Sequence, residues 1–309
     1  MLFNSWLVFS LVGVIMQKLA RVKKTDVRAV LPKRKPESHK GDFGRLLIVG
    51  GGSRYVGALA LVGLAALRSG VDLAIIAAPE KTAWTVNSFS PDLIAIKLPC
   101  RDLESSALSE ILSEMERSTA VVVGPGSGTL AKTRDAVIEL ARTLREKHPT
   151  LPVLFDADGL KALASERGLA QGMPWVMTPH AGEFKILTGS DLPSDVQGRV
   201  EQVKLAAQGL GCAVLLKAHV DIIASASGNL KLNHTGNPGM TVGGTGDVLS
   251  GIVGAFLAQG SDPFKAAVAG AWVCGRAGDL CLKEKGYEFV ASDLIDKLPE
   301  VFKEVRGKR

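Results

Sequence analysis

From about residue 44 onward, short apolar runs alternate with segments whose apolar residues recur at helical spacing. The apolar runs predict buried strands at 45–49, 73–78, 120–123, 152–155, 175–177 and 213–216. The segments with helical spacing predict helices near 55–69, 130–147, 183–188, 197–209, 247–259 and 264–284. Alternation of strands and helices is typical of βαβ units, so the pattern predicts one α/β domain over residues 44–309, with a mostly parallel central sheet between helices.

One edge of the sheet is expected to be antiparallel. Residues 222–224 and 230–232 are two short strand-like runs, and Ser227-Gly228 lies between them. Glycine suits the tight turn of a hairpin, so the two runs are predicted to pair as a β-hairpin.

Positive charge is concentrated in one segment. The formal net charge is +6, and residues 18–45 hold ten Lys or Arg against three Asp or Glu. The rest of the chain is therefore close to neutral, which argues against nucleic-acid binding by the main domain. We predict that residues 17–43 form a basic N-terminal arm, interpreted as a solvated linker, with contact to phosphate as the alternative.

The first sixteen residues carry no charge and are mostly apolar. This stretch is short for a membrane span, which needs about 20 residues, and no basic segment or A-x-A site marks a signal peptide. We interpret residues 1–16 as an apolar leader upstream of a true start at Met16; a membrane anchor, a signal peptide and a segment folded on the body are the alternatives. Four cysteines without a C-x-x-C pair favour a reducing, cytoplasmic location.

Glycine and polar residues follow the predicted strands. These segments are Gly50-Gly51-Gly52, Gly124-Pro125-Gly126, Asp156-Ala157-Asp158, Thr178-Pro179-His180 and Lys217-Ala218-His219. Because ligands of open parallel sheets bind beyond the carboxyl ends of the strands, we predict one site there. Turn chemistry explains the glycines well but His180, Asp156 and Asp158 less well. A helix cap at His180 and Asx turns at the two aspartates are the alternatives.

The strongest motif is a glycine-rich loop, residues 235–246, that leads into an apolar helix at Asp247. The first turn of a helix presents unpaired N–H groups that bind phosphate. A carboxylate beside them can accept a proton from a substrate hydroxyl during phosphoryl transfer. We predict that Asp247 is this base; a first-turn acid that only stabilises the helix is the alternative. The sequence has no P-loop and no dinucleotide fingerprint.

A series of motifs resembles the NAD(P)H-hydrate dehydratase family of the ribokinase-like superfamily. The most specific is Asn-Pro-Gly-Met-Thr-Val-Gly-Gly-Thr-Gly-Asp at 237–247, and other blocks lie in order at 39–44, 51–53, 57–58, 124–126, 156–158, 178–183 and 216–217. The resemblance covers about residues 39–285. It implies a ribokinase-like three-layer α/β/α fold and a lyase that uses ADP, or ATP, to phosphorylate the C6 hydroxyl of hydrated NADH or NADPH. Loss of phosphate then restores NAD(P)H. It also implies a stand-alone dehydratase domain without a fused epimerase.

Site roles follow from the same resemblance. It places Asp247 as the catalytic base and Ala58, Gly126 and His180 with it around the hydrate. It assigns nucleotide binding to Lys217, Ala218, His219, Val220, Asp221, Gly244, Thr245 and Gly246. It implies Mg²⁺ as a cofactor, with Glu183 as a ligand, and an acid at a helix start is the alternative for Glu183. The expected partners are NAD(P)HX and ADP or ATP, with neither nucleic acid nor a membrane, and a homotetramer is expected.

The sequence departs from the family pattern at three positions. Relatives usually have Lys-Gly before a small residue and Thr, whereas this chain has Ala218, which disfavours positive φ, and Asp221, which adds negative charge near the nucleotide. These changes leave open the choice between ADP and ATP. Ser127 replaces the usual Leu. The rival functions are a small-molecule kinase, such as a hydroxyethylthiazole kinase, and a non-catalytic nucleotide-binding module.

Overall fold

A nine-stranded sheet organises the part of the chain that the computed structural model describes, residues 20–307. Its strands are β1 (Arg45–Val49), β2 (Leu73–Pro79), β3 (Ile94–Leu98), β4 (Ala120–Val123), β5 (Val153–Phe155), β6 (Trp175–Met177), β7 (Ala213–Leu216), β8 (Asp221–Ala224) and β9 (Leu230–Asn233). Their spatial order is β3-β2-β1-β4-β5-β6-β7-β8-β9. Pairing is parallel from β3 to β7 and antiparallel from β7 to β9. The mostly parallel sheet and the hairpin, now β8–β9, are confirmed.

Helices cover both faces of this sheet. They are α1 (Lys24–Val30), α2 (Val56–Arg68), α3 (Glu80–Phe89), α4 (Leu108–Met115), α5 (Ala131–Lys147), α6 (Asp158–Leu163), α7 (Ala181–Thr188), α8 (Val196–Leu210), α9 (Thr245–Ala258), α10 (Pro263–Lys285) and α11 (Ala291–Arg306). Helices α1–α3 and α9–α11 pack on one face, and α4–α8 pack on the other. The predicted three-layer α/β/α architecture is therefore confirmed.

Strand β1 shows how the two faces are built. Successive side chains of a strand point to opposite faces. Leu46 and Ile48 accordingly belong to the core beneath α2 and α9, whereas Leu47 and Val49 belong to the core beneath α5. All four side chains are fully buried, so the continuous apolar run in the sequence reflects a strand with helices on both sides.

Several elements were not predicted from the sequence. These are α1, α3, β3, α4, α6 and α11. The solvated-linker interpretation of the basic arm is wrong for its described part, because α1 packs on α10 and α11 and buries Val27. Arg28 also donates to the carbonyl of Val305 at 2.8 Å, and Val22 N–H donates to Leu232 O on β9 at 2.9 Å. The arm is thus part of the folded body.

Within residues 20–307, no helix combines the length and the apolar character that a membrane crossing requires. The predicted leader, residues 1–16, lies outside the described residues. The four cysteines are free, and all but Cys100 are buried.

Candidate active site

The loops that follow β1 and β4 meet at the carboxyl edge of the sheet. The chain runs from β1 to β2 on one side, whereas β4 lies on the other side of β1, and such a reversal opens a crevice. The N–H of Gly51 donates to Pro125 O at 2.9 Å. A Cβ on Gly50 would collide with the same oxygen, so this close approach of two backbones requires glycine.

The glycine-rich loop enters α9 through Gly244, whose φ of +95° favours glycine. Thr245 Oγ1 donates to Met240 O at 2.9 Å, which ties the loop to the first turn of the helix. A Cβ on Gly246 would lie 3.5 Å from Lys217 Nζ. The start of α9, where helical N–H groups have no intrahelical partner, therefore faces a buried ammonium group.

Asp247 lies in this first turn, half-buried. Burial, together with repulsion from the Asp156 carboxylate, raises its pKa to about 7. The Lys217 ammonium acts in the opposite direction but does not cancel these effects. A carboxyl group with a pKa near 7 exchanges its proton readily at neutral pH, which suits a general base.

Lys217 is held by two buried carboxylates. Its Nζ lies 2.7 Å from Asp156 Oδ1 and 3.7 Å from Glu183 Oε2. The other oxygen of Asp156 accepts a hydrogen bond from Ser250 Oγ at 2.7 Å. Burial opposes ionisation of both Lys217 and Asp156, but their mutual attraction outweighs it, so the pKa of Lys217 is raised and that of Asp156 is lowered. Both groups are therefore charged at neutral pH.

His180 caps helix α7. Its Nδ1 accepts from the N–H groups of Gly182 and Glu183 at 3.0 and 3.3 Å. Glu183 in turn accepts from the His180 N–H at 3.0 Å, which completes a capping box. Because Nδ1 accepts, Nε2 carries the proton of the neutral ring, and it lies 3.4 Å from Glu183 Oε1. His180 therefore does cap the helix, as the alternative interpretation expected. Its imidazole is also 57% exposed and can contact a ligand.

Two cavities flank this cluster. The first has a volume of about 640 Å³. Its lining includes His180, Lys217, Ala218, His219, Asp221, Thr245 and Gly246. The second has a volume of about 590 Å³. Its lining includes Arg54, Tyr55, Ala58, Gly126, Ser127, Asp158, Lys161 and Asp247.

Most of the predicted site residues therefore come together. Ala58, Gly126 and Asp247 share the second cavity, whereas His180, predicted beside them, lines the first. Three further predicted residues line neither cavity, and one of them is Glu183, which is buried beside Lys217. Val220 packs against the core under the α8 face, and Gly244 packs against Leu61 and Ala291.

Ala218 and Asp221, the two residues of the nucleotide segment that depart from the family pattern, fit the local turn without strain. Asp221 accepts from the Ala218 N–H and from Asn233 Nδ2, both at 3.0 Å, so it closes the turn after β7. Burial raises the pKa of Asp221 to about 6. Ala218 needs no left-handed backbone. Within residues 20–307, the non-glycine residue with positive φ is Ala157, at +50°, which separates Asp156 from Asp158.

Three contributors to the site were missed. Ser250 is a buried polar residue in an otherwise apolar helix and lies three residues after Asp247, which puts both on one helix face. Arg54 directly follows the block at 51–53 and Lys161 lies three residues after Asp158, but neither cation belongs to a motif. The isolated serine could have been recognised as a site residue from the sequence, whereas nothing in the sequence distinguishes the two cations from other surface residues.

Comparison with known proteins gives consistent results. The family model for NAD(P)H-hydrate dehydratase matches residues 46–300. The bifunctional NAD(P)H-hydrate repair enzyme Nnr of Pyrobaculum aerophilum is 47% identical over 270 residues, which are 87% of this chain and 52% of that protein. The chain thus spans about half the length of the bifunctional relatives it matches.

A relative of similar length also matches. ADP-dependent (S)-NAD(P)H-hydrate dehydratase of Cenarchaeum symbiosum is 35% identical over 283 residues, which are 91% of this chain and 96% of that protein. Among solved structures, ADP/ATP-dependent NAD(P)H-hydrate dehydratase from Bacillus subtilis, co-crystallised with ATP/Mg²⁺, superposes with a TM-score of 0.76 at 27% identity. The match covers 94% of this chain and 99% of that one, and the predicted ribokinase-like fold is confirmed.

Proposed function

Since this chain belongs to the NAD(P)H-hydrate dehydratase family, we propose that it is an ADP-dependent (6S)-NAD(P)H-hydrate dehydratase. The observation that carries the proposal is the position of Asp247. Its carboxyl lines one cavity at the first turn of α9, and the adjacent Gly246 lines the other together with Lys217. Such an arrangement suits transfer of a phosphoryl group between ligands bound in the two cavities.

In the proposed reaction, the hydrate binds in the second cavity and Asp247 accepts the proton of its C6 hydroxyl. The hydroxyl oxygen bonds to the terminal phosphorus of ADP while the bond from that phosphorus to the bridging oxygen breaks, releasing AMP. The C6–O bond then breaks with phosphate as the leaving group, and the ring loses one C5 proton to water, which forms the C5–C6 double bond. The products are NAD(P)H, AMP and phosphate, and phosphate leaves far more readily than hydroxide.

The first cavity is the proposed donor site. Lys217 and the first-turn N–H groups around Gly246 would stabilise the charge that develops on the migrating phosphoryl group. They are preorganised, since Asp156 holds the ammonium at 2.7 Å and the Thr245 hydroxyl fixes the loop. The exposed rings of His180 and His219 would contact the nucleotide from this side.

Mg²⁺ is part of the proposal because the site has more carboxylates than cations. Asp156, Glu183 and Asp247 surround the single ammonium of Lys217, so a polyanionic nucleotide needs further positive charge. Among residues 20–307, no three His, Cys, Asp or Glu side chains form a metal-holding group. Mg²⁺ in phosphoryl-transfer sites commonly uses one or two carboxylates plus phosphates and water. Glu183 is the proposed protein ligand, and the ion would neutralise phosphate charge.

The direct test is incubation of the protein with NADHX and ADP, following the absorbance of NADH as it reappears. Recovery of NADH with formation of AMP supports the proposal. A stable phosphorylated product without NADH would instead indicate the small-molecule kinase, and binding of ADP without either product would indicate the non-catalytic module. Replacing ADP by ATP in a parallel reaction decides the donor.

A homotetramer stays a prediction from the family resemblance, and a cytoplasmic location stays a prediction from the cysteine pattern. Light scattering of the purified protein tests the first, and fractionation of the native cell tests the second.

A further inference from the structure

The second cavity has one cation that is not paired with a carboxylate. Its charged lining residues are Arg54, Asp102, Asp158, Lys161 and Asp247. Lys161 donates to Asp158 at 2.8 Å, and Asp102 pairs with Lys132 at 3.4 Å. Arg54 makes no ion pair within the part of the chain that the structure describes; its guanidinium lies 5.4 Å from the centroid of the Tyr55 ring.

The same cavity has a hydroxyl without a hydrogen-bond partner. Ser127 is 2% exposed, and its Oγ is a buried polar atom that no donor or acceptor among residues 20–307 satisfies. Buried hydroxyls normally have a partner, and an orphaned one costs stability. Because Ser127 also lines the second cavity, its hydroxyl is an unused donor beside that cavity.

The loops that carry Arg54 and Ser127 are in direct contact. A Cβ on Gly126 would lie 2.6 Å from Tyr55 O, and a Cβ on Gly52 would lie 3.3 Å from Ser127 O. These backbone contacts fix the two loops against each other at the switch point of the sheet. Arg54 and Ser127 thus line one cavity from two loops that are in backbone contact.

We propose that Arg54 and Ser127 form a subsite for the diphosphate of the dinucleotide substrate. The proposal rests on the proposed function, because the hydrate of NADH or NADPH carries that diphosphate into the cavity of Asp247. The planar guanidinium group binds phosphate oxygens through two parallel hydrogen bonds, and a serine hydroxyl can donate a further one. The remaining charges of the lining repel an anion or are already paired, so Arg54 supplies the positive charge that the diphosphate requires.

The experiment measures binding of NADH, the product that retains the diphosphate, by calorimetry with saturating ADP in the other cavity. Arg54→Gln is expected to weaken NADH binding by roughly 10- to 100-fold, the worth of a charged hydrogen bond. Binding of ADP, titrated alone, should stay within about 3-fold. Arg142→Gln is the matched control, because it removes an exposed guanidinium, paired with Glu166, that lines neither cavity.

Ser127→Ala separates binding from folding. Because the hydroxyl has no partner in the free protein, its removal should not lower the melting temperature, whereas NADH should bind several-fold more weakly. In turnover of NADHX, both variants should raise KM with kcat nearly unchanged.

Two results would overturn the subsite: unchanged NADH affinity in Arg54→Gln, or an equal loss of ADP affinity. If wild type dehydrates NADHX while Arg54→Gln binds NADH normally, the subsite is wrong and the function stands. If NADH binding depends on Arg54 but wild type leaves NADHX unchanged, the subsite stands and the proposed function is wrong.

Discussion

Asp247→Asn is expected to stabilise the protein while it abolishes turnover. The carboxyl of Asp247 has a pKa of about 7 in the folded chain, against an ordinary value of 3.8. Between these values the folded state binds a proton that the unfolded state has lost, so stability falls as the pH rises from 3.8 through 7. A difference of about three pKa units, at about 1.4 kcal/mol each, makes the loss about 4 kcal/mol above pH 7.

The asparagine variant has no carboxyl group to ionise at this position, so its stability does not fall in this pH range. Denaturant unfolding should therefore show the variant more stable than wild type by up to about 4 kcal/mol near pH 8, and by much less near pH 4. Turnover of NADHX with ADP should fall by about 10²–10⁴, the usual contribution of a general base. In wild type, kcat/KM should rise as the pH passes about 7 and Asp247 ionises.

The reasoning fails if the stability difference between Asp247→Asn and wild type is the same at both pH values. It also fails if the variant keeps its activity, since the catalytic assignment then has no support. Binding of ADP is the control, and it should change by no more than a few-fold, because the carboxyl lines the other cavity.

The other predictions concern the donor site and the strand ends. Gly246→Val should weaken ADP binding by more than about 10-fold in calorimetry, because a branched side chain would fill the space between α9 and Lys217 Nζ, 3.5 Å from a Cβ. Normal ADP affinity would contradict phosphate binding at the first turn of α9. Removing divalent cations with EDTA should weaken ADP binding while NADH binding persists, and equal effects on both would argue against a metal beside Glu183. Ala157→Gly should raise the free energy of unfolding by about 1 kcal/mol in urea, since φ of +50° strains alanine but not glycine; a destabilised variant would refute that strain.

The central strands could be predicted because burial on both faces leaves continuous apolar runs. β1 and β4 are such runs, and their ends were located within a residue. β3 was missed because it is an edge strand whose first residue, Ile94, is exposed and whose run includes Lys97. α1 was missed for a similar reason, since its seven residues bury only Val27 and show no apolar repeat.

The site was predictable where one segment carries the chemistry and less so where distant segments meet. The loop before Asp247 could be recognised from the sequence, because several glycines are followed by an acid at the start of an apolar helix. The role of Asp156 was undecided because its partners Lys217 and Ser250 lie 61 and 94 residues away. The placement of His180 beside the hydrate stays a prediction; the structure puts its ring at the first cavity, and the sequence does not determine toward which side of Lys217 a strand-end ring projects.

The pKa of Asp247 is raised first by burial and then by repulsion from Asp156, and Lys217 offsets these effects only in part. Lys217 lies 2.7 Å from Asp156 and 3.7 Å from Glu183, so its charge is largely engaged before it reaches Asp247. The Asp156 charge then repels that of Asp247, and burial removes the water that would screen the repulsion. Were Asp156 neutral, this repulsion would be lost, the pKa of Asp247 would be lower, and its carboxylate would be a weaker base. Asp156, held by Lys217 and Ser250, therefore adds to the effect of burial in keeping the proton of Asp247 exchangeable near neutral pH.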